Sequence, residues 1–257
     1  MHIEKSTKDI FLKANIMSKS DRTFKPEDAK GGCDVVPEKT ACVFIEYQNE
    51  FTTEGGKLHD AVKPVMESTN MLTNSVDVAS KARTAGVTII HAPISFKADH
   101  SDNPNCKLGI LAGWLVFVYL HYLFVYTCLF TYLHFSKDGS LFVEGTWNAE
   151  ICDPMKPKDG DMIVTGKKGL DAFPNTDLEA LLVSKGIETV ALGGFLTNCC
   201  VESTMRTAYE KGFNVITLTD CTGATSDEAQ KAAANGTYGM FSSPMTKDEF
   251  LAKLKTV

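Results

Sequence analysis

The fold of this chain is decided by residues 186–204, which read G-I-E-T-V-A-L-G-G-F-L-T-N-C-C-V-E-S-T. The run at 189–192 is short, apolar and partly β-branched, as in a strand that is buried on both faces. A Gly-Gly pair follows, and residues 200–211 carry small or apolar side chains at helical spacing before a glycine. The sequence therefore predicts a strand that turns sharply into a helix, with Cys200 in the first helical turn. Because the N-terminus of a helix carries partial positive charge, we expect a lowered pKa and a nucleophilic thiolate at Cys200.

Two adjacent cysteines stand at this junction. Neighbouring side chains on a helix point about 100° apart, so only one of Cys199 and Cys200 can face a cleft. The alternative for either residue is a packing role, because cysteine is among the most buried residue types.

The composition is that of an ordinary globular protein. The 257 residues are 44% hydrophobic and 23% charged, which suits one α/β domain with appendages. A formal net charge of −6 argues against a broad phosphate-binding surface, so nucleic acid is excluded as a partner. The eight cysteines include no C-x-x-C pair, and no secretory signal follows Met1, so we expect free thiols and a cytoplasmic location.

Three residues suited to catalysis follow predicted strands. Apolar runs lead to Glu46 and to Lys167, with Lys168 as the competitor of Lys167, and the central strand leads to Cys200. Strands and helices alternate along the chain, which predicts a three-layer α/β/α fold around a central, mostly parallel sheet. Because parallel strands end at the same edge, we expect these residues to meet there. The acid can accept the thiol proton, the lysine can stabilise the thiolate and orient the acid, and backbone N–H groups of Leu196 and Cys200 can hold an oxyanion. Solvated surface charges are the alternative reading of the acid and the lysine.

Two segments stand apart from the α/β pattern. Residues 1–40 lack apolar periodicity and predict an N-terminal extension over the domain surface, or an oligomerisation arm, ahead of a domain at 41–257. Residues 114–135 are uncharged and apolar-aromatic on all sides, and their length suits a bilayer-spanning helix. Tyrosine and histidine recur in the middle of this segment, which is atypical of a lipid-facing span. We therefore interpret residues 114–139 as an insertion foreign to the fold, such as translated intron sequence, with a membrane anchor as the alternative.

The stretch G-G-F-L-T-N-C-C-V-E-S-T resembles the G-x-x-T-N-x-C-V-x-x-T pattern of the isochorismatase-like cysteine hydrolases. The resemblance places the nucleophile at Cys200 rather than Cys199, the family lysine at Lys167, and a cis peptide between Phe195 and Leu196. The chain departs from the family at the acid, because F-I-E-Y-Q-N-E-F carries glutamate where the family pattern D-x-Q-N-D-F has aspartate.

The resemblance implies a hydrolase that cleaves a small amide or ureide C–N bond through a covalent thioester. A vinyl ether hydrolase and a non-catalytic binding or scaffold protein of the same fold are the alternatives. The D-x-H pattern of nicotinamidases is absent, and Asp99 and His100 lie at unfavourable spacing from His91, so we expect no metal or other cofactor. We further expect a small-molecule substrate and a homo-oligomer. Three aromatic residues are predicted to line the substrate pocket: Phe51, Phe173 and Phe195.

Overall fold

The computed structural model describes residue 33 and residues 35–105, 110–111 and 141–254. Within these ranges the chain forms a six-stranded, all-parallel sheet in the order β3-β2-β1-β4-β5-β6. The strands are β1 (Thr40–Ile45), β2 (Thr88–Ala92), β3 (Met162–Ile163), β4 (Thr189–Phe195), β5 (Asn214–Gly223) and β6 (Ser243–Met245). The two most central strands, β1 and β4, are buried along their whole length, as their continuous apolar runs predict.

Helices cover both faces of the sheet. They are α1 (Asn49–Thr52), α2 (His59–Ser68), α3 (Met71–Thr84), α4 (Leu178–Ser184), α5 (Glu202–Glu210), α6 (Asp227–Ala232), α7 (Tyr238–Phe241) and α8 (Lys247–Leu254). The side chains of Cys42 and Phe44 in β1 pack with α2, α3 and α8, whereas Val43 and Ile45 pack with α4, α5 and α7. This alternation along one strand separates two apolar cores and confirms the predicted three-layer α/β/α fold.

The two unusual segments are placed only in part. The insertion predicted at 114–139 and the N-terminal extension as far as residue 32 lie outside the described residues. At the end of the predicted extension, Cys33 and Val35 are buried against the first core, and β1 begins at Thr40. No helix within the described ranges, which leave out 106–109 and 112–140, is long and apolar enough to cross a bilayer.

Candidate active site

Glu46 stands directly after β1, where the chain leaves the sheet. Its backbone φ is 58°, a left-handed conformation that residues other than glycine rarely adopt. The Glu46 N–H donates to the carbonyl of Ala92 at the end of β2, and the Gln48 N–H donates to the Glu46 carbonyl at 2.7 Å. The chain therefore turns within two residues. Strained backbone of this kind recurs at functional sites, and here it accompanies a carboxylate that is buried beside a cavity.

Lys167 reaches the same carboxylate from the loop after β3. Its ammonium donates one hydrogen bond to Glu46 Oε1 and a second one, of 2.7 Å, to the Gly169 carbonyl. Both charged side chains of this ion pair are buried. Lys168, the competitor in the sequence, instead pairs near the surface with Asp102 at 2.8 Å and Glu144 at 2.6 Å. Of the two lysines, the structure thus brings Lys167 to the acid.

Cys200 lies in a π-helical turn, Thr197–Val201, between β4 and α5. The turn begins one residue after the cis peptide between Phe195 and Leu196, which the family resemblance predicted. Just before it, a Cβ on Gly194 would stand 2.1 Å from the backbone oxygen of Ile45, so only glycine allows β4 to approach β1 this closely.

Buried polar side chains hold this turn in place. The Thr197 hydroxyl donates to Gln230 Oε1 at 2.6 Å, and the Tyr238 hydroxyl donates to the Thr197 carbonyl at 2.8 Å. On the other side, the Thr204 hydroxyl donates to the Cys200 carbonyl at 2.8 Å and accepts from the Ala172 N–H at 3.0 Å. These bonds tie the Cys200 turn to α6, to α7 and to the loop that follows Lys167. The sequence indicated Thr197 as a helix cap and Thr204 within the helix, but it did not predict that these side chains hold the turn, because threonine, glutamine and tyrosine carry no spacing signal for such a role.

The ionisation of Cys200 differs from the sequence prediction. The pKa of its thiol is raised well above the usual range by a hydrogen bond with Cys199, by burial and by the nearby Glu46 carboxylate, and Lys167 lowers it only in part. The expected lowering is therefore wrong for this arrangement, because the positive end of the helix and one lysine do not outweigh these effects. A thiol that is neutral at rest needs a base to take its proton, and the Glu46 carboxylate stands beside it.

Cys199 has a different environment from its neighbour. Its side chain is partly exposed and packs against both apolar cores, whereas Cys200 is buried and lines the cavity. The structure thus directs the two adjacent thiols to different surroundings, as helical spacing predicts.

A cavity of about 340 Å³ opens beside the thiol. Glu46, Leu196 and Cys200 border it together, so the candidate nucleophile, the candidate base and both residues predicted to hold the oxyanion share one space. The other lining residues are Phe51, Leu58, Ala61, Val62, Ile94, Phe96, Ala98, Asp99, His100, Asn103, Ile110, Leu111, Leu141, Phe142, Leu170 and Thr225.

Of the three aromatic residues predicted to line the pocket, Phe51 does so. Phe195 and Phe173 are not among the described lining residues. Phe195 is fully buried and stacks on Phe51, with ring centroids 4.9 Å apart, so it supports the wall from behind. Phe173 is buried in the second core, where its ring lies 6.2 Å from that of Phe213. Both differ from the prediction because packing against other aromatic rings takes their side chains away from the cavity.

Gln48 is a further positioning residue that sequence reasoning passed over. Its side-chain amide donates to the Ile94 carbonyl at 2.7 Å, and its Oε1 accepts from the Ile94 N–H at 2.9 Å. These two bonds fix the chain after β2, where Ile94 lines the cavity. The available signal was the polar Q-N pair directly after a buried strand, where side chains bond to neighbouring loops.

His91, which we considered as a metal ligand, belongs to a separate cluster. Its Nε2 lies 3.4 Å from Asp161 Oδ2, and the Arg83 guanidinium donates to both carboxylate oxygens of Asp161. Among the residues that the structure describes, no three histidine, cysteine, aspartate or glutamate side chains form a group that could hold a metal ion.

These features define a class: an α/β protein with a thiol and a carboxylate beside one cavity and a lysine buried against the carboxylate, as in enzymes that use nucleophilic catalysis. The family model described as Isochorismatase domain matches residues 40–249, and the chain therefore belongs to the isochorismatase family of hydrolases. This match confirms the family resemblance of the sequence motif.

Individual relatives agree with this assignment. A ureidoacrylate amidohydrolase RutB from Pantoea ananatis is 30% identical over 198 residues, which cover 77% of this chain and 74% of the relative. A solved cysteine hydrolase from Pseudomonas syringae pv. phaseolicola has a TM-score of 0.69 at 20% identity, covering 89% of this chain and 99% of that one. The N-carbamoylsarcosine amidase of Thermoplasma acidophilum has a TM-score of 0.60 at 22% identity, covering 82% and 97% of the two chains. At these identities the two solved structures establish a shared fold.

Proposed function

We propose that this protein hydrolyses the C–N bond of a small amide or ureide through a covalent thioester on Cys200. The observation that carries the proposal is that Cys200 and Glu46 border one cavity while Lys167 is buried against Glu46. The relatives named as amidohydrolases and amidases support the choice of bond.

The first half of the reaction forms the thioester. Glu46 takes the proton of the Cys200 thiol, and the sulfur attacks the substrate carbonyl carbon. The negative charge that develops on the carbonyl oxygen is stabilised by the backbone N–H groups of Leu196 and Cys200. The tetrahedral intermediate then collapses, the C–N bond breaks, and Glu46 returns its proton to the departing nitrogen.

The second half of the reaction restores the enzyme. Glu46, again ionised, takes a proton from a water molecule, whose oxygen attacks the thioester carbonyl. The C–S bond breaks, Glu46 returns the proton taken from water to the sulfur, and the acid product leaves. Lys167 stays bonded to Glu46 and to the Gly169 carbonyl, so its role is to orient the carboxylate and to offset negative charge near the sulfur.

The proposal is tested by ammonia release from a panel containing ureidoacrylate, N-carbamoylsarcosine and neutral aryl amides, with Cys200→Ala and Cys199→Ala as matched variants. Loss of the nucleophile should reduce kcat/KM by on the order of 10⁴-fold or more. Cys199→Ala should retain most of the activity, because the thiol of Cys200 and its base stay in place, while loss of the hydrogen bond with Cys199 removes one cause of the raised pKa of Cys200. Equal activity of Cys200→Ala and the unaltered protein would contradict the covalent mechanism. Vinyl ether cleavage without amide cleavage, or no turnover at all, would favour the alternatives.

We also propose that the protein is a cytoplasmic homo-oligomer. Five described cysteines are free thiols, which suits a reducing compartment: Cys42, Cys152, Cys199, Cys200 and Cys221. Tyr209 and Met240 are 50% and 69% exposed on α5 and α7, and we propose these positions as the contact between copies. Sedimentation velocity of the full chain and of Met240→Lys tests the oligomer, and a monomer at all concentrations would contradict it.

A further inference from the structure

The walls of the cavity beside Cys200 are mostly apolar. Thirteen of its nineteen described lining residues have aliphatic or aromatic side chains, including Phe51, Phe96 and Phe142. The Phe51 and Phe142 rings lie 5.4 Å apart, so these two form one continuous aromatic surface. A pocket of this composition gains affinity chiefly by burying an apolar group of the ligand.

The charged residues among the described lining residues are both acidic. They are Glu46 and Asp99, and no described lysine or arginine joins them. The pKa of Asp99 is lowered by hydrogen bonds from Ser101, so this carboxylate is ionised at neutral pH.

Two lysines that follow β3 are engaged by other groups, and Lys97, between the lining residues Phe96 and Ala98, interacts with Asp99. The Lys167 ammonium is bonded to Glu46 and to the Gly169 carbonyl, and Lys168 pairs with Asp102 and Glu144. Because no described lining residue is a lysine or an arginine, a substrate carboxylate would lose its hydration without gaining a cationic partner from the described lining, which is strongly unfavourable.

We propose that this cavity selects uncharged acyl groups with an apolar body and discriminates against substrates that carry a carboxylate. The inference rests on the proposed hydrolase function and names the substrate class of the same site. The proposed substrate class therefore differs from the substrate named for the ureidoacrylate amidohydrolase relative, because an acrylate is itself a carboxylate.

Direct binding tests the selection without relying on turnover. The full chain carrying Cys200→Ala is titrated by calorimetry with 2-(4-methylphenyl)acetamide, a neutral primary amide. It is also titrated with the analogue that bears a carboxylate in place of the ring methyl group. We expect the neutral amide to bind about 30-fold or more tightly than the anion, because only the anion buries an unpaired charge. Equal binding, tighter binding of the anion, or no binding of the neutral amide would overturn the proposal.

Two further substitutions in the same Cys200→Ala background address the origin of the selectivity. Asp99→Lys reverses the charge at a solvent-exposed position. It should lower the dissociation constant of the anion relative to that of the neutral amide by about tenfold. His100→Gln removes the one described lining side chain that could become a cation by taking up a proton. Substantial binding of the anion that disappears with His100→Gln would overturn the proposal.

Failure of the hydrolase function gives a different result. Tight binding of the neutral amide without hydrolysis by the unaltered protein would leave the selectivity standing and remove the proposed function. Hydrolysis of both amides, together with equal affinities, would support the hydrolase function and overturn the proposed selectivity.

Discussion

Two clusters of acidic and basic side chains are buried beside this sheet, and their surroundings differ. In one, the Asp161 carboxylate receives hydrogen bonds from Arg83 Nε at 2.9 Å, from Arg83 Nη2 at 2.8 Å and from the Lys158 N–H at 2.8 Å. His91 adds a longer contact from β2. In the other, Glu46 pairs with the buried Lys167 ammonium and borders a cavity.

The difference separates a structural cluster from a candidate catalytic one. The donors around Asp161 fill both of its oxygens and join α3, β2 and the chain before β3, so the cluster's charges are used within the fold. Glu46 instead has left-handed backbone, and its neighbours include an ionisable thiol with a strongly raised pKa. Strain, a perturbed pKa and an adjoining cavity together indicate function, whereas burial of a charged pair alone does not.

Of the two clusters, the Glu46–Lys167 pair should have the larger effect on activity when it is broken. Glu46→Gln removes the base at similar size, and we expect kcat/KM to fall by about 10²- to 10⁴-fold. The variant also leaves the Lys167 ammonium buried without its anion, which should lower the free energy of unfolding by about 3–5 kcal/mol.

The double variant Glu46→Gln/Lys167→Met tests this interpretation. Removing both charges should recover most of the lost stability and none of the activity, measured by urea denaturation and by amide hydrolysis. Recovery of activity together with stability would show that Glu46 acts only through folding.

Breaking the Asp161 cluster should lower stability and leave the activity of the folded protein nearly unchanged. We expect Asp161→Asn to lower the free energy of unfolding by about 1–3 kcal/mol, because hydrogen bonds to a charged group are lost at a buried site. Among the folded molecules, kcat/KM should stay within about threefold of the unaltered protein. Asp153→Asn is the matched control, since that side chain is 95% exposed and its substitution should alter neither property. A large loss of kcat/KM in folded Asp161→Asn would contradict the separation of the two clusters.

A smaller effect is expected on the ionisation of the thiol. In a Cys199→Ala background, the rate of Cys200 alkylation by iodoacetamide should rise with pH, because only the thiolate reacts. Lys167 lowers the pKa of Cys200, so Lys167→Met should raise that pKa and move the alkylation profile to higher pH. An unchanged profile would show that the ammonium does not act on the sulfur.

Much of this arrangement could be predicted from the sequence. Alternating strands and helices fix a parallel sheet, and a parallel sheet brings the residues after its strands to one edge, which is how Glu46, Lys167 and Cys200 come together. The choice between Lys167 and Lys168 rested on the family motif. Physically it depends on partners that are distant in the sequence, since Asp102 and Glu144 hold Lys168 near the surface.

The packing of Phe173 and the ionisation of Cys200 could not be predicted from the sequence. Whether Phe173 faces the cavity depends on Phe213, which lies forty residues further along the chain and packs against it. The raised pKa of Cys200 depends on burial and on the positions of Cys199 and Glu46, none of which a local motif specifies. Local patterns predict which groups meet, and the surrounding packing determines how they ionise.

The central claim is a covalent intermediate on Cys200, and rapid-quench mass spectrometry of the intact protein tests it most directly. With an amide that is turned over, the Cys199→Ala protein should show a transient mass increase equal to that of the acyl group. Peptide mapping should place this group on Cys200, and Cys200→Ala should show no adduct. Steady turnover by Cys200→Ala, or an acyl group mapped to any other residue, would contradict the mechanism.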